Sequence, residues 1–278
     1  EQIVTSWRTI AQAFNAYRNL NTLLSEKPVV VERTALPAPR GAVTLERASV
    51  KSPDGTRAIL QDISLSVAPG EIIGVVGPSG AGKTTLARVL AGALAPDFGG
   101  VRIDGARYED WDPDALGKHI GYLPQDVSLL AGSVAENIAR FAHKEPGFDN
   151  EKVSAEVIAA AQAAGAQDMI QRLPNGFDAQ LGPGGRGVSA GQAQRIALAR
   201  ALFRDPAVLV FDEPNAHLDA DGEAALVAAL KAAKARGATS FVIAHRAGFM
   251  TIADKLLVLN DGKVQAFGPR EEVADGHE

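Results

Sequence analysis

Short apolar runs alternate with segments of helical periodicity along most of this chain. The runs that predict strands are residues 71–76, 101–105, 121–123, 207–211, 239–244 and 255–259. The segments that predict helices are residues 84–90, 134–141, 151–164, 166–173, 189–201 and 223–235. Strands that alternate with helices indicate an α/β fold with a largely parallel sheet, and such sheets bind ligands at the carboxyl ends of their strands.

The first forty residues follow a different pattern. Residues 1–26 predict one amphipathic helix, because apolar residues recur at three- and four-residue steps: Ile3, Val4, Trp7, Ile10, Phe14, Tyr17, Leu20 and Leu24. This stripe either packs on the core of its own domain or faces a partner that has been cut away. Residues 27–41 contain three prolines and a glycine and predict an extended linker. Residues 42–67 predict short strands around a turn at 52–55.

Composition narrows the class of protein. The chain has 278 residues and a net charge of −5, whereas a nucleic-acid-binding protein more often carries a basic surface. It has no cysteine, which excludes disulfides and thiolate metal sites and fits a reducing compartment. No run of about 18 apolar residues occurs, so the sequence predicts no membrane-spanning helix. Because the chain opens at Glu1 inside a predicted helix, we expect it to be a piece of a longer protein.

A phosphate-binding loop carries the strongest chemical signal. It has the pattern G-x-x-x-x-G-K-T and is followed by a second threonine, and its residues are Gly77, Pro78, Ser79, Gly80, Ala81, Gly82, Lys83, Thr84 and Thr85. The glycines let backbone N–H groups turn inward around a phosphate, Lys83 reaches the β- and γ-phosphates, and Thr84 offers a hydroxyl to Mg²⁺. A predicted strand precedes the loop and a predicted helix follows it, as this motif requires.

Polar residues follow three other predicted strands. Asp212 and Glu213 end one strand, where one carboxylate can hold Mg²⁺ and the next can orient or deprotonate water. Gln125 and His245 follow two more strands, and either side chain can hydrogen-bond a phosphoryl oxygen or the attacking water. The alternative is that the acids are simply solvated and the histidine is structural, and the upstream phosphate loop favours the functional interpretation.

A second candidate anion site opens the helix at 189–201. Ser189 and the free N–H groups of the first turn can bind a phosphate, and the same donors can serve a plain helix cap. The motif at this point comprises Val188, Ser189, Ala190, Gly191 and Gln192.

The order of these motifs resembles the nucleotide-binding domain of ATP-binding cassette (ABC) transporters over about residues 42–272. The resemblance implies a P-loop NTPase (RecA-like) core with a small antiparallel β-subdomain and a helical subdomain at about 126–203, within a domain at 42–278. It also implies ATP and Mg²⁺ as ligands. By resemblance, residues 77–84 are Walker A, residues 188–192 are the signature, and Asp219 ends the D-loop. Gln125 is the Q-loop glutamine, Asp212 ends Walker B, Glu213 is the catalytic carboxylate and His245 is the switch histidine. The implied metal ligands are Thr84, Gln125 and Asp212.

The resemblance narrows to the type I secretion exporters of proteases and lipases, on the stretches 104–106, 111–112, 120–127 and 212–215 and on the opening helix. In that family the opening helix is the cytoplasmic end of the last transmembrane helix. The implied protein is a homodimer at the cytoplasmic face of the bacterial inner membrane, in which one protomer's Lys83 and the other's Ser189 enclose one ATP. Its implied partners are its own transmembrane domain, a periplasmic adaptor and an outer-membrane channel.

Three positions depart from the family pattern, and one of them is Pro183, which replaces the acidic residue common before the signature in exporters. Ala190 replaces a glycine of the signature, and Ser52 falls where an aromatic ring usually stacks on adenine, so that Arg57 or Pro53 is left to cover the base.

Three other functions are alternatives to this one. An exporter of lipids, glycans or peptides would share the ATPase chemistry. A soluble ABC ATPase acting on DNA or ribosomes would need a basic surface or a second cassette, and a non-hydrolysing interaction module would not need Glu213 and His245.

Overall fold

The computed structural model describes residues 2–25, 36–144, 147–215, 218–244 and 251–275. Contacts divide the chain into two units, Glu1–Thr34 and Ala35–Glu278. The first unit contains helix α1 (Gln2–Ser25), which confirms the predicted opening helix. The described members of its apolar stripe are more than half exposed: Trp7, Ile10, Phe14, Tyr17 and Leu20. Of the linker predicted over 27–41, residues 27–35 lie outside the described residues, so the linker stays a prediction.

The second unit contains the strands and the remaining helices. Its strands are β1 (Val43–Lys51), β2 (Ala58–Val67), β3 (Ile72–Val76), β4 (Phe98–Ile103), β5 (Ala106–Arg107), β6 (Ile120–Leu123), β7 (Gly132–Ser133), β8 (Gln180–Leu181), β9 (Val208–Asp212), β10 (Thr239–Ile243), β11 (Lys255–Asn260) and β12 (Lys263–Pro269). Its helices are α2 (Lys83–Leu90), α3 (Pro113–His119), α4 (Val134–Ile138), α5 (Asn150–Ala163), α6 (Gln167–Gln171), α7 (Ala190–Leu202), α8 (Ala220–Ala235) and α9 (Arg270–Asp275).

A six-stranded sheet forms the centre, in the order β12-β11-β3-β10-β9-β6. All neighbouring pairs are parallel except β11 and β12. A separate antiparallel sheet has the order β2-β1-β4-β5. The α/β prediction is therefore confirmed, with the parallel core, the antiparallel subdomain and the helical segment α4–α7 all present. The carboxyl ends of β3, β6 and β9 lie at one edge, which is where the sequence places its candidate site residues.

Two hydrophobic cores lie on the two faces of the central sheet. Successive residues of β9 alternate between them, as the period of a strand requires. Leu209 and Phe211 pack with the core formed by the helical segment, and Val208 and Val210 pack with the core that contains α2 and the antiparallel sheet. The sheet thus holds α2, at whose start the phosphate loop ends, on one side and α7, which follows the predicted signature, on the other.

The helix predicted over residues 134–141 is wrong in its last turn, because α4 ends at Ile138. Arg140 and Phe141 have φ angles of 53° and 58°, which an α-helix does not allow. The Arg140 guanidinium instead hydrogen-bonds four backbone carbonyls, those of Gly117 at 2.7 Å, Ile120 at 3.1 Å, Arg200 at 3.0 Å and Ala201 at 3.3 Å. Burial, with the charges of neighbouring arginines, lowers the pKa of Arg140 to about 10, so it remains charged at neutral pH. One side chain therefore joins α4, α3, β6 and α7.

The strand predicted over residues 101–105 ends two residues early. Asp104 and Gly105 have φ angles of 50° and 85° and form the turn between β4 and β5. Within the described ranges, no helix combines the length and the apolar character needed to cross a membrane.

Candidate nucleotide site

The phosphate loop is held in place by the close approach of β2 and β11. Residues 77–82 connect β3 to α2. Gly77 has a φ angle of 153°, and a Cβ atom at this position would lie 2.0 Å from the carbonyl oxygen of Leu259 on β11. At Gly82, with a φ angle of 99°, a Cβ atom would lie 2.9 Å from the carbonyl oxygen of Ile59. Both glycines are therefore required for β2 and β11 to approach the loop this closely.

Lys83 folds back into this loop. Its ammonium donates hydrogen bonds to the carbonyl oxygens of Gly77 at 2.8 Å and Pro78 at 2.9 Å, and the residue is only 7% exposed. A buried cation needs such acceptors, because an unpaired charge would not be tolerated there. The loop thus holds a positive charge beside its inward-facing backbone.

Asp212 ends β9 and is fully buried. Neither of its carboxylate oxygens makes a well-formed hydrogen bond within the part of the chain that the structure describes, although the Thr84 hydroxyl is close enough to affect its pKa. Burial raises the pKa of Asp212 above its ordinary value, the Thr84 hydroxyl opposes that rise and the charge of Glu213 adds to it. A buried carboxylate with so few protein donors is the type of group that binds a cation.

Glu213 adopts a left-handed backbone conformation with a φ angle of 50°. Its N–H group donates to the carbonyl of Ile243 at 2.9 Å, which fixes this conformation at the end of β9. Glutamate rarely occupies this region, and such local strain is concentrated at functional sites. The turn directs the chain out of the sheet immediately after Asp212.

The structure brings eight of the predicted residues together around one cavity of about 330 Å³. Its walls are formed by Arg57, Ile59, Ser79, Gly80, Gly82, Lys83, Thr84, Thr85, Gln125 and Glu213. Gly77, Pro78, Ala81 and Asp212 do not line it, and Gly77 and Ala81 pack beneath the loop. His245 lies outside the described residues, and its predicted role stays a prediction. Arg57, not Pro53 or Ser52, is the side chain from the 52–57 turn that reaches this cavity.

Sequence reasoning missed two side chains that support the site. Arg88 lies one helical turn after Thr84 on α2, close enough to the hydroxyl of Tyr122 on β6 to affect its pKa. Burial raises the pKa of Tyr122, and the charge of Asp212 adds to this rise. Gln194 on α7 is 1% exposed and donates to the carbonyl of Pro214 at 3.0 Å, next to Glu213. The spacing of four between Thr84 and Arg88 was visible in the sequence, whereas nothing local indicated the contact of Gln194.

A second cavity, of about 380 Å³, lies at the start of α7. Met169, Arg172, Ser189, Gly191, Gln192, Arg195 and Asp219 line it. Ser189 is the N-cap of α7: its hydroxyl accepts the Gln192 N–H at 3.3 Å and its own N–H donates to the Gln192 side chain at 2.8 Å. The predicted helix cap is therefore confirmed, and anion binding at the same donors stays a prediction. Val188 does not line the cavity and packs against the core with α4–α7.

Asp219 closes this second cavity on the side of α8. It is the N-cap of α8, accepts the N–H of Gly222 at 2.9 Å and pairs with the Arg195 guanidinium of α7. The hydrogen bond from Gly222 and the pairing with Arg195 lower the pKa of Asp219. Residues 216–217, the start of the predicted D-loop, lie outside the described residues.

Ala190→Gly should lower the free energy of unfolding by a few tenths to about 1 kcal/mol. Ala190 is the first residue of α7 and its φ angle is not positive, so glycine adds unfolded-state entropy without relieving strain. Urea unfolding measures the change. The matched control is Ala232→Gly, at an exposed position in the middle part of α8, which should lower the free energy of unfolding by at least as much. A gain in stability on Ala190→Gly would contradict the helical placement of this residue.

Comparisons with known proteins agree with this geometry. The sequence model of the family described as ABC transporter matches residues 60–216, more than half of the chain. The chain is 44% identical over 273 residues to the type I secretion system ATP-binding protein PrsD of Rhizobium meliloti, covering 98% of this chain and 46% of that protein. It is 38% identical over 267 residues to the cyclolysin secretion/processing ATP-binding protein CyaB of Bordetella pertussis, covering 95% of this chain and 36% of that protein.

Two further similarities come from other exporters. An ATP-dependent lipid A-core flippase of Alkalilimnicola ehrlichii is 39% identical over 240 residues, covering 86% of this chain and 40% of the flippase. The solved structure of a bacterial Atm1-family ABC exporter with ATP bound superposes with a TM-score of 0.81 at 32% identity, covering 98% of this chain and 46% of that one. The chain thus spans less than half the length of these relatives. By its family match, its relatives and its fold, this chain belongs to the ABC transporter family.

Proposed function

We propose that this chain is the ATP-binding and ATP-hydrolysing domain of a type I secretion exporter. The observation that carries the proposal is the 330 Å³ cavity in which the phosphate loop meets Gln125 and Glu213. Such a cavity can bind a triphosphate on one wall and hold a water molecule beside a carboxylate on another. The similarity to PrsD, over nearly the whole chain, supports the exporter class.

The residues around Asp212 fit a magnesium ion. Mg²⁺ commonly uses one or two carboxylates, several waters and the phosphates of its substrate, so it does not need a cluster of acids. Within the described residues no three His, Cys, Asp or Glu side chains form a metal cluster, but a buried Asp212 beside the Thr84 hydroxyl meets the smaller requirement. Gln125 is the third proposed ligand. When bound, Mg²⁺ neutralises the negative charge that develops on the phosphate oxygens.

In the proposed mechanism, hydrolysis depends on a few side chains in fixed positions. Lys83 holds the β- and γ-phosphates by its charge, together with the backbone N–H groups of the loop. Glu213 orients a water molecule and accepts its proton as the water oxygen attacks the γ-phosphorus and the bond to the leaving ADP oxygen breaks. Gln125 hydrogen-bonds the water or a phosphoryl oxygen, and His245 is proposed to contact the γ-phosphate.

The second cavity suggests how two copies work together. Ser189 and the first turn of α7 line this cavity, and the N–H groups at a helix N-terminus are donors that an anion can use. We propose a head-to-tail homodimer in which these donors complete the phosphate site of the other protomer. Two half-sites in one chain then form two complete sites in the dimer, because the symmetry operation applies the contact twice.

The exporter would carry this domain at the cytoplasmic face of the bacterial inner membrane. We propose that its transmembrane domain belongs to the part of the relatives that this chain does not cover, and that a periplasmic adaptor and an outer-membrane channel complete the secretion path. An exporter of lipids, glycans or peptides is the alternative, and the similarity to a lipid A-core flippase keeps it open. The longer and higher match to PrsD favours protein secretion.

A domain exchange tests the exporter class. The region of PrsD that matches this chain would be replaced by this chain, and the matching region of the A. ehrlichii flippase would be inserted in a parallel chimaera as the control. We expect the first chimaera to restore secretion by the PrsD system and the second not to, because the domain surface must fit its transmembrane partner. Equal secretion by both chimaeras, or by neither while both hydrolyse ATP, would contradict the assignment to type I secretion.

A further inference from the structure

One wall of the nucleotide cavity is not used by the proposed phosphate chemistry. Arg57 immediately precedes β2, and Ile59 is the second residue of that strand. Both line the cavity of about 330 Å³ that also contains Lys83 and Glu213. Because both residues line the same cavity, the methylene stem of Arg57 and the Ile59 side chain together form an apolar strip on this wall.

The turn before Arg57 is held by several hydrogen bonds. The Ser52 N–H donates to the Arg57 carbonyl at 2.7 Å, and the Arg57 N–H donates to the Ser52 hydroxyl at 3.1 Å. Asp54 accepts from the Thr56 hydroxyl at 2.7 Å and from the Ser52 hydroxyl. These hydrogen bonds lower the pKa of Asp54 to about 2, so the turn keeps its charge and its bonds across the physiological pH range.

The start of β2 is also fixed against the phosphate loop. The carbonyl oxygen of Ile59 lies where Cβ atoms at Gly82 and Gly262 would be only 2.9 Å and 2.3 Å away. The next residue but one, Gln61, donates its N–H to the Gly262 carbonyl at 2.8 Å. Ile59 is therefore held directly beside the loop, at a distance set by backbone packing and not by flexible side chains.

The Arg57 side chain is exposed and forms no ion pair with any residue that the structure describes. A guanidinium is planar and weakly hydrated, and it stacks on aromatic faces, including those of nucleobases. Among the described residues lining this cavity there is no Phe, Tyr, Trp or His. The apolar strip is therefore suited to a flat ring, whereas contact with the apolar side chain of Ile59 would not stabilise a bound phosphate.

We propose that Arg57, backed by Ile59, holds the nucleobase of the bound nucleotide by stacking its guanidinium plane on the ring. The assignment rests on the proposed function, because it takes the phosphates to be bound in the loop. A stacked face does not read the edge of a base, so Arg57 gives affinity for purine nucleotides with little preference between ATP and GTP.

Binding of two ligands separates this role from phosphate contact. ATP carries a base and inorganic tripolyphosphate does not, and both are titrated into the chain with Mg²⁺ by calorimetry. Arg57→Ala should weaken ATP binding about three- to fivefold and leave tripolyphosphate binding unchanged. Arg57→Lys keeps the charge but not the plane, and should also weaken ATP binding. Arg107→Ala removes an exposed guanidinium on β5 and is the matched control, with both affinities unchanged.

Three results would overturn the assignment. If Arg57→Ala weakened the binding of ATP and of tripolyphosphate equally, Arg57 would be a phosphate ligand. If Arg57→Lys kept the full affinity for ATP, the contribution of Arg57 would come from its charge and not from stacking. Unchanged ATP affinity in Arg57→Ala would place the base elsewhere, while the proposed function would stand. Failure of the native chain to bind ATP at all would instead overturn the proposed function and this assignment with it. Thermal melts of each variant check that the fold is retained.

Discussion

Replacing Glu213 by glutamine should slow ATP hydrolysis about 100-fold or more while ATP with Mg²⁺ still binds. Glutamine has nearly the same shape as glutamate, so the left-handed turn and its hydrogen bond to the Ile243 carbonyl should persist. What is lost is the carboxylate that accepts a proton from the attacking water. Steady-state phosphate release measures the turnover, and calorimetry measures the binding.

The same variant should also accumulate the proposed homodimer, because bound ATP is no longer consumed. Light scattering with ATP and Mg²⁺ should report a doubled mass for Glu213→Gln and mainly monomer without nucleotide. Glu109→Gln makes the same chemical change at an exposed site and is the control, with native turnover. A Glu213→Gln rate near half of the native one would reject the role of this carboxylate, and an unchanged mass across a wide range of ATP and protein concentrations would count against the dimer.

Gly77→Ala should destabilise the domain by about 4 kcal/mol, among the largest effects of a single methyl group. A Cβ atom at this position would lie 2.0 Å from the Leu259 carbonyl oxygen, and neither atom can be moved without separating β3 from β11. The φ angle of 153° adds a further cost for any residue with a side chain. Urea unfolding gives the free-energy difference from the native chain.

Gly80→Ala is the control for the backbone conformation alone. Gly80 also has a positive φ angle, 79°, but a Cβ atom there would have no atom within 4 Å. Its substitution should therefore cost only about 1–2 kcal/mol. If the two substitutions had equal cost, the contact with Leu259 would not matter and the close packing beneath the loop would be refuted.

The phosphate loop could be predicted from the sequence because its chemistry is local. Its glycines, Lys83 and Thr84 must follow each other in one order to surround a phosphate, and the neighbouring strand and helix have clear periodicities. The same holds for Ser189, since a capping box is complete within four residues. For these elements the prediction and the structure agree to within one or two residues.

Long-range contacts could not be predicted in this way. The end of α4 depends on Arg140, whose acceptors at Gly117, Ile120, Arg200 and Ala201 come from three other elements. Gly121 needs to be glycine because a Cβ atom there would lie 2.1 Å from the Ala201 carbonyl, although its backbone conformation is ordinary. Neither requirement leaves a periodic or local pattern, since each depends on a partner distant in the chain.

The position of β3 in the sheet has a consequence for synthesis on the ribosome. This strand, among the most apolar segments of the chain, pairs with β10 on one edge and with β11 on the other, and both are translated long after it. Until residue 243 has emerged, the nascent chain carries β3 with both edges unpaired, and until residue 260 has emerged one edge stays unpaired, a state that favours aggregation. The antiparallel sheet needs only β1, β2, β4 and β5 and can form early. We therefore expect nucleotide binding to mark one of the last steps of folding, and chaperones to protect the chain during the interval.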